Sequence, residues 1–185
     1  MNKKDKGAIH KLFALIAVLW LVICWSAFLQ IVKAGYVSGY LEDCLTQANL
    51  AALLVDPYHY GSTGELVFKD VENTRTIFQE TLEAGLGSKE NREKLGITES
   101  VRVVDFRVYE VTALGIMEFA FDERGVYQTR QFESGRVVEA PDGTIIKNSA
   151  LYARVEVPVE FLFGVRIIAV KEHCVDMVSE EMKDE

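Results

Sequence analysis

Residues Leu12 to Val32 read LFALIAVLWLVICWSAFLQIV, 21 residues without a charge and with only Ser26 and Gln30 as clearly polar side chains. As an α-helix at 1.5 Å per residue the run is about 30 Å long, one bilayer hydrocarbon thickness. A membrane-spanning helix is therefore expected, and a wholly soluble fold is not.

Dividing the charge at this run gives the orientation. Lys3, Lys4, Lys6 and Lys11 against Asp5 leave residues 1–11 at net +3, so the remainder carries −11 of the total −8. Basic flanks stay cytoplasmic. The expected layout is a basic cytoplasmic leader over 1–11, a transmembrane helix over 12–32 and everything beyond outside, single-pass in the cell membrane. A leader this short cannot bury a core of its own. A cleaved signal peptide is not expected, since the apolar run exceeds an ordinary h-region and ends in Gln30-Ile31-Val32-Lys33 without small residues. Ile23 before Cys24 does not fit a lipoprotein signal, so Cys24 reads as an inert membrane thiol. Nucleic acid is not an expected partner, because basic residues after Lys33 are scattered singly.

The helical pattern continues past the span. Val37, Leu41, Cys44, Ala48, Ala51 and Val55 recur at steps of four and three, while Glu42, Asp43, Gln47 and Asn49 lie off that stripe. Asp56-Pro57 is a stop, because a residue before proline avoids the α region. One helix from about Ile9 to Val55 is predicted, with residues 33–56 forming an extracytoplasmic amphipathic stalk. Gly35 and Gly39 form a small-xxx-small pair where helices can approach closely, or a flexible joint. Gly35, Gly39, Leu41, Ala48 and Ala51 are the helix-packing candidates.

Residues 57–178 read as an α+β head. Tyr58-His59-Tyr60 and Gly61-Ser62-Thr63-Gly64 read as surface loop. Asn73 is placed as the cap of a helix from Thr74 to about Ala84, with Ile77, Phe78 and Leu82 as its apolar side and Gly85-Leu86-Gly87 as its stop. Ser88 to Lys94 is a loop or a further helical turn. From Val101 the apolar period changes to two, through VRVVDFRVYEV, GIMEFAF, VYQTRQF, LYARVEVPV and VRIIAVKEHCVDMV, with turns at Asp122–Gly125, Glu133–Gly135 and Pro141–Thr144. About five antiparallel strands are expected, with Pro158 marking an edge or a bend. Residues 179–185 form an acidic tail.

No catalytic pattern stands out. His10, His59 and His173 have no metal-ligand spacing, and adjacent His173 and Cys174 would face opposite sides of a strand. Gly85-Leu86-Gly87-Ser88-Lys89 follows a helix where a phosphate loop would follow a strand. No enzyme activity, cofactor or metal is expected. Cys44 and Cys174 both lie outside the membrane, which leaves two arrangements open. They are either a disulfide tying stalk to sheet or two buried free thiols.

Val103-Val104-Asp105-Phe106-Arg107-Val108-Tyr109, Pro141-Asp142-Gly143-Thr144, Leu151-Tyr152-Ala153-Arg154-Val155 and Phe161-Leu162-Phe163-Gly164 stand behind this basic leader, apolar helix and stalk. Together they resemble the TadE/TadF-like minor pseudopilins of Tad (Flp-type) pilus systems, the Gram-positive type in particular. The resemblance implies a pilin-like fold, with a small antiparallel head on a helical stalk. It implies a structural role, with other pilins, pseudopilins and assembly-platform proteins as partners. Prepilin processing in that family follows a Gly-type junction with a Glu five residues into the mature chain. Gly7-Ala8 is the best junction here and its fifth residue is Leu12, which fits a minor or membrane-retained component better than a shaft subunit. The competing reading is a single-pass ligand-binding or accessory subunit of another membrane complex, presenting Tyr58-His59-Tyr60.

Overall fold

The computed structural model describes residues 3–121, 127–161 and 164–177, with side chains from residue 11 onward apart from residue 127. The turn at 122–126, Leu162, Phe163 and the acidic tail at 179–185 lie outside the described residues. The chain falls into two compact units, Met1–Gly39 and Tyr40–Glu185.

The first unit is helical. Helix α1 runs unbroken from Lys3 to Ala52. From Lys11 onward it is long and apolar enough to cross a membrane. Leu12 through Val32 expose their apolar side chains around the whole circumference, as Leu15, Leu19, Trp20, Val22 and Ile31 illustrate. The Ser26 hydroxyl donates to the Ile23 carbonyl at 3.0 Å, so this polar group is satisfied within the helix. Gly7 and Ala8 fall within the helix backbone.

The second unit is a two-layer α+β head. Its sheet has five antiparallel strands in the order β3-β2-β1-β4-β5. These are β1 Arg102–Thr112, β2 Gly115–Phe121, β3 Tyr127–Glu133, β4 Ala150–Glu160 and β5 Arg166–Asp176. Between α1 and β1 lie α2 Pro57–Thr63, α3 Val71–Gly85 and α4 Lys89–Leu95.

One sheet face meets helices. Phe106 and Val108 of β1, Phe119 and Phe121 of β2 and Leu151 to Val159 of β4 in alternation are buried. Phe78 of α3 stacks on Phe106 with ring centroids 5.0 Å apart, and Phe106 meets Phe121 edge-on at 5.6 Å. The outer part of α1 covers the other end, where the Asn49 amide donates to the His173 carbonyl at 3.1 Å. Tyr40 donates to the Gly85 carbonyl at 2.6 Å, joining α1 to the end of α3.

The chain must return from β3 to β4 across β2 and β1, and this return covers the second face. Residues 134–149 carry a small hairpin whose tip is the predicted Pro141–Thr144 turn, closed by Gly143 N–H to the Ala140 carbonyl at 2.9 Å. Its Val138, Ala140 and Ile146 pack with Tyr109, Ile116, Ala150 and Tyr152 into a second apolar cluster. Gly115 opens β2 at φ 132, where a Cβ would collide with the Phe132 carbonyl.

Several local expectations change. Asp70, not Asn73, caps α3, accepting from the Glu72 and Asn73 backbone N–H groups at 3.1 and 3.2 Å. Asp56-Pro57 both follows the end of α1 and starts α2. The Asp56 carboxylate accepts from the Tyr58 and His59 N–H groups while Pro57 sits where a helix needs no N–H. Tyr58-His59-Tyr60 is therefore helical, not loop. Ser88 caps α4, so Ser88–Lys94 takes the helical alternative. Pro158 lies beyond the β1 pairing, which ends at Glu156; there β4 has β5 on one side and the Gly96–Thr98 segment on the other, through the Ile97↔Val159 bridge and the Glu160 N–H donating to the Gly96 carbonyl at 2.7 Å.

Candidate functional site

The packing candidates on α1 separate into two groups. Gly35 and Gly39 are exposed, and a Cβ added to either would meet no atom within 4 Å. They offer a smooth strip to another helix. The Gln30 side-chain oxygen, one turn earlier, has no hydrogen-bond partner among the described residues.

Leu41 and Ala48 are buried, together with Cys44, Leu45, Asn49 and Ala52. Ala51 is exposed, which corrects its placement on the stripe. Steps of four and three follow a 3.5-residue period, whereas the helix turns about 100° per residue. Three turns after Leu41 the buried position is Ala52, about 20° from Leu41, while Ala51 is displaced by about 80°. Asn49, about 80° to the other side of Leu41, is buried as well, where its amide donates to the His173 carbonyl, although its polarity placed it off the stripe.

Cys44 and Cys174 do not form a disulfide; both are free thiols. Cys44 lies against Gly85 of α3, on the helical side of the sheet. Cys174 pairs in register with Tyr152 and packs in the second apolar cluster, on the opposite face. The sheet separates them. Burial and the nearby Asp142 and Asp176 carboxylates push the Cys174 thiol up to about 12.

The uncovered part of that second face carries a charged network. Arg107 forms a bidentate pair with Asp105, with nitrogen–oxygen distances of 2.9–3.0 Å, and donates to Glu118 at 2.9 Å. Glu118 also accepts from the Tyr109 hydroxyl at 3.4 Å and lies 3.8 Å from Arg130. Tyr152 donates to Glu172 at 2.9 Å. Burial, reinforced by these carboxylates, holds both tyrosine hydroxyls well above their usual range. Each acid is matched, so the network reads as a support for the sheet and offers no free nucleophile or base.

Near α2, Glu65 accepts from the Ala113 N–H at 2.7 Å and pairs with His59 at 3.2 Å. The Ala113 bond, then His59, holds the Glu65 carboxyl below its usual range. Tyr58 is 88% exposed. A cleft of about 270 Å³ opens between Glu99–Arg102 and the β4–β5 end at Pro158 and Ile168. Among the described residues no three His, Cys, Asp or Glu side chains gather as metal ligands. Comparison with protein-family models, curated proteins and solved structures finds no match to this chain.

Proposed function

We propose that the protein is a membrane-anchored, minor pseudopilin-like structural component of a Tad-type pilus or a related type IV filament or secretion apparatus. The observation that carries this reading is α1. A single unbroken helix is apolar all round over the length of one bilayer, then becomes one-sided and packs its buried side into an antiparallel head. Such a helix anchors a subunit and can associate laterally, with the head held outside the membrane.

The mechanism is packing, not chemistry. Lateral association uses the open Gly35 and Gly39 strip and the apolar side chains of the span. The head keeps its shape through the helix seam at Leu41, Cys44, Leu45 and Ala48. The basic leader supports a cytoplasmic N-terminus.

Deleting the gene is expected to abolish or shorten surface pili, with recovery by the wild-type chain and poor recovery by a Gly35→Leu/Gly39→Leu variant that still reaches the membrane. Normal piliation in the deletion strain would overturn the reading. Affinity purification is expected to return pilins or platform proteins, whereas a lone transporter or receptor partner would favour an accessory subunit.

A further inference from the structure

We infer that β5 is a self-pairing edge, through which two copies of this chain join their sheets antiparallel with Ala169 opposite Ala169. The inference rests on the head alone and does not depend on a role in pili.

Strand β5 pairs along its whole length with β4, from Arg166↔Glu160 to Asp176↔Ala150, without a register shift. Its other side has no strand neighbour among the described residues. Edge strands are ordinarily blunted by proline, bulges, short length or outward charge. β5 is eleven residues long, regular and free of proline. Its lysine does not guard the edge, because the Lys171 ammonium is turned onto Glu42 of α1 at 3.1 Å. The opposite edge, β3, reads YQTRQFE and is protected by its polar side chains.

The exposed side chains also concentrate here. Ile167, Ile168 and Val170 are 47%, 63% and 44% exposed, Ile167 beside the buried Val159 of β4 and Ile168 and Val170 beside the half-buried Pro158 and Glu156. Residues Arg166, Ile168, Val170 and Glu172 share one face, and all four are exposed. That face is basic at one end, apolar in the middle and acidic at the other.

This order is complementary to itself in one direction only. An antiparallel copy centred on Ala169 sets Arg166 opposite Glu172 and Ile168 opposite Val170, each twice across the two-fold. The other face sets Ile167 beside the Lys171 stem and meets at two small alanines. In-register parallel pairing would oppose Arg166 to Arg166 and Glu172 to Glu172. An antiparallel register centred on Lys171 would oppose two lysines. Charge complementarity therefore selects a second copy, in this register, as the occupant. Arg166 already reaches Glu160 at 3.0 Å and Glu99 at 3.9 Å, and its fork has donors left for the copy's Glu172.

The test uses the full chain in detergent micelles, in a Cys24→Ser background. With copper phenanthroline as oxidant, Ala169→Cys is expected to give a disulfide-linked dimer. Ile167→Cys, which lies two residues from the two-fold, is expected to give little. Arg166→Glu or Glu172→Arg alone turns both cross-pairs repulsive and should raise the dimer dissociation constant roughly tenfold. The combined Arg166→Glu/Glu172→Arg chain restores both cross-pairs and should dimerise better than either single variant, short of the wild type because Glu160, Glu99 and Arg154 of the same chain then face like charges. Simple damage to the fold would worsen in the double variant. A monomeric wild-type chain, equal cross-linking at Ala169→Cys and Ile167→Cys, or a double variant as dissociated as the singles would each overturn the inference. Pairing seen only with a different protein would do so too.

Discussion

Replacing Ala51 or Ala52 by aspartate tests the rotational setting of α1 on the head. Both alanines lie in the last turn of the helix, so the loss of helix propensity and the repulsion from the helix C-terminus, together about 1 kcal/mol, apply to both. Only Ala52 is buried, at 0% exposure. A carboxylate there leaves water without a cationic partner, which adds about 3–5 kcal/mol. The two variants should therefore differ by at least ~3 kcal/mol, or over a hundredfold in the equilibrium between folded and opened head. Pulse proteolysis of the full chain in micelles over a urea series measures this, with amide exchange in β4 as a second readout. In the Ala52→Asp variant burial raises the folded-state pKa of the introduced carboxyl, so its cost is present at neutral pH and falls as the group protonates in acid. The gap should narrow at low pH. Equal losses for both variants, or a larger loss for Ala51→Asp, would refute the rotation and restore the 3.5-residue stripe.

Arg107→Ala leaves the buried Glu118 without its 2.9 Å partner, with only the Tyr109 hydroxyl and the more distant Arg130 beside it, and is expected to cost about 1–3 kcal/mol in urea unfolding, with partial recovery on adding Glu118→Gln. Burial raises the Glu110 carboxyl despite its bond from the Phe68 N–H, so its ionised form opposes folding. Glu110→Gln should match or exceed the wild type at neutral pH, and its relative advantage should vanish as pH falls below the ordinary carboxylate range. Gly115→Ala should destabilise the β1–β2 hairpin through the Phe132 carbonyl, read as faster amide exchange in β2. Mass mapping after early alkylation is expected to find Cys44 and Cys174 as free thiols, with Cys174 modified slowly until the head is unfolded.

Much of the molecule is local information. An uncharged 21-residue run, a change of apolar period from 3.6 to 2 at Val101, and turn residues at Pro141–Thr144 each depend on neighbouring residues only. They suffice for one apolar helix and five strands. The misplaced details near α2 and α3 were also local but ambiguous. Asp-Pro ends one helix and opens another with the same chemistry, and either Asp70 or Asn73 could cap.

The assignment of faces is different in kind. Alternation tells which residues of a strand share a side, but it does not tell which side the helices take. Cys174 could have lain under Cys44. It lies across the sheet because β5 pairs with β4 in a register that sets Cys174 beside Tyr152, while the β3-to-β4 return covers that face. Ala52 replaces Ala51 in the seam because a straight helix gains about 20° on every heptad, and only contact with the sheet sets its phase. Asn49 is buried because the His173 carbonyl, 124 residues later, is there to accept its amide hydrogen. Composition and length alone mark the apolar stretch as a helix long and apolar enough to cross a membrane. Which alanine, asparagine or cysteine touches what depended on pairings between distant segments, whose energies no short window of residues contains.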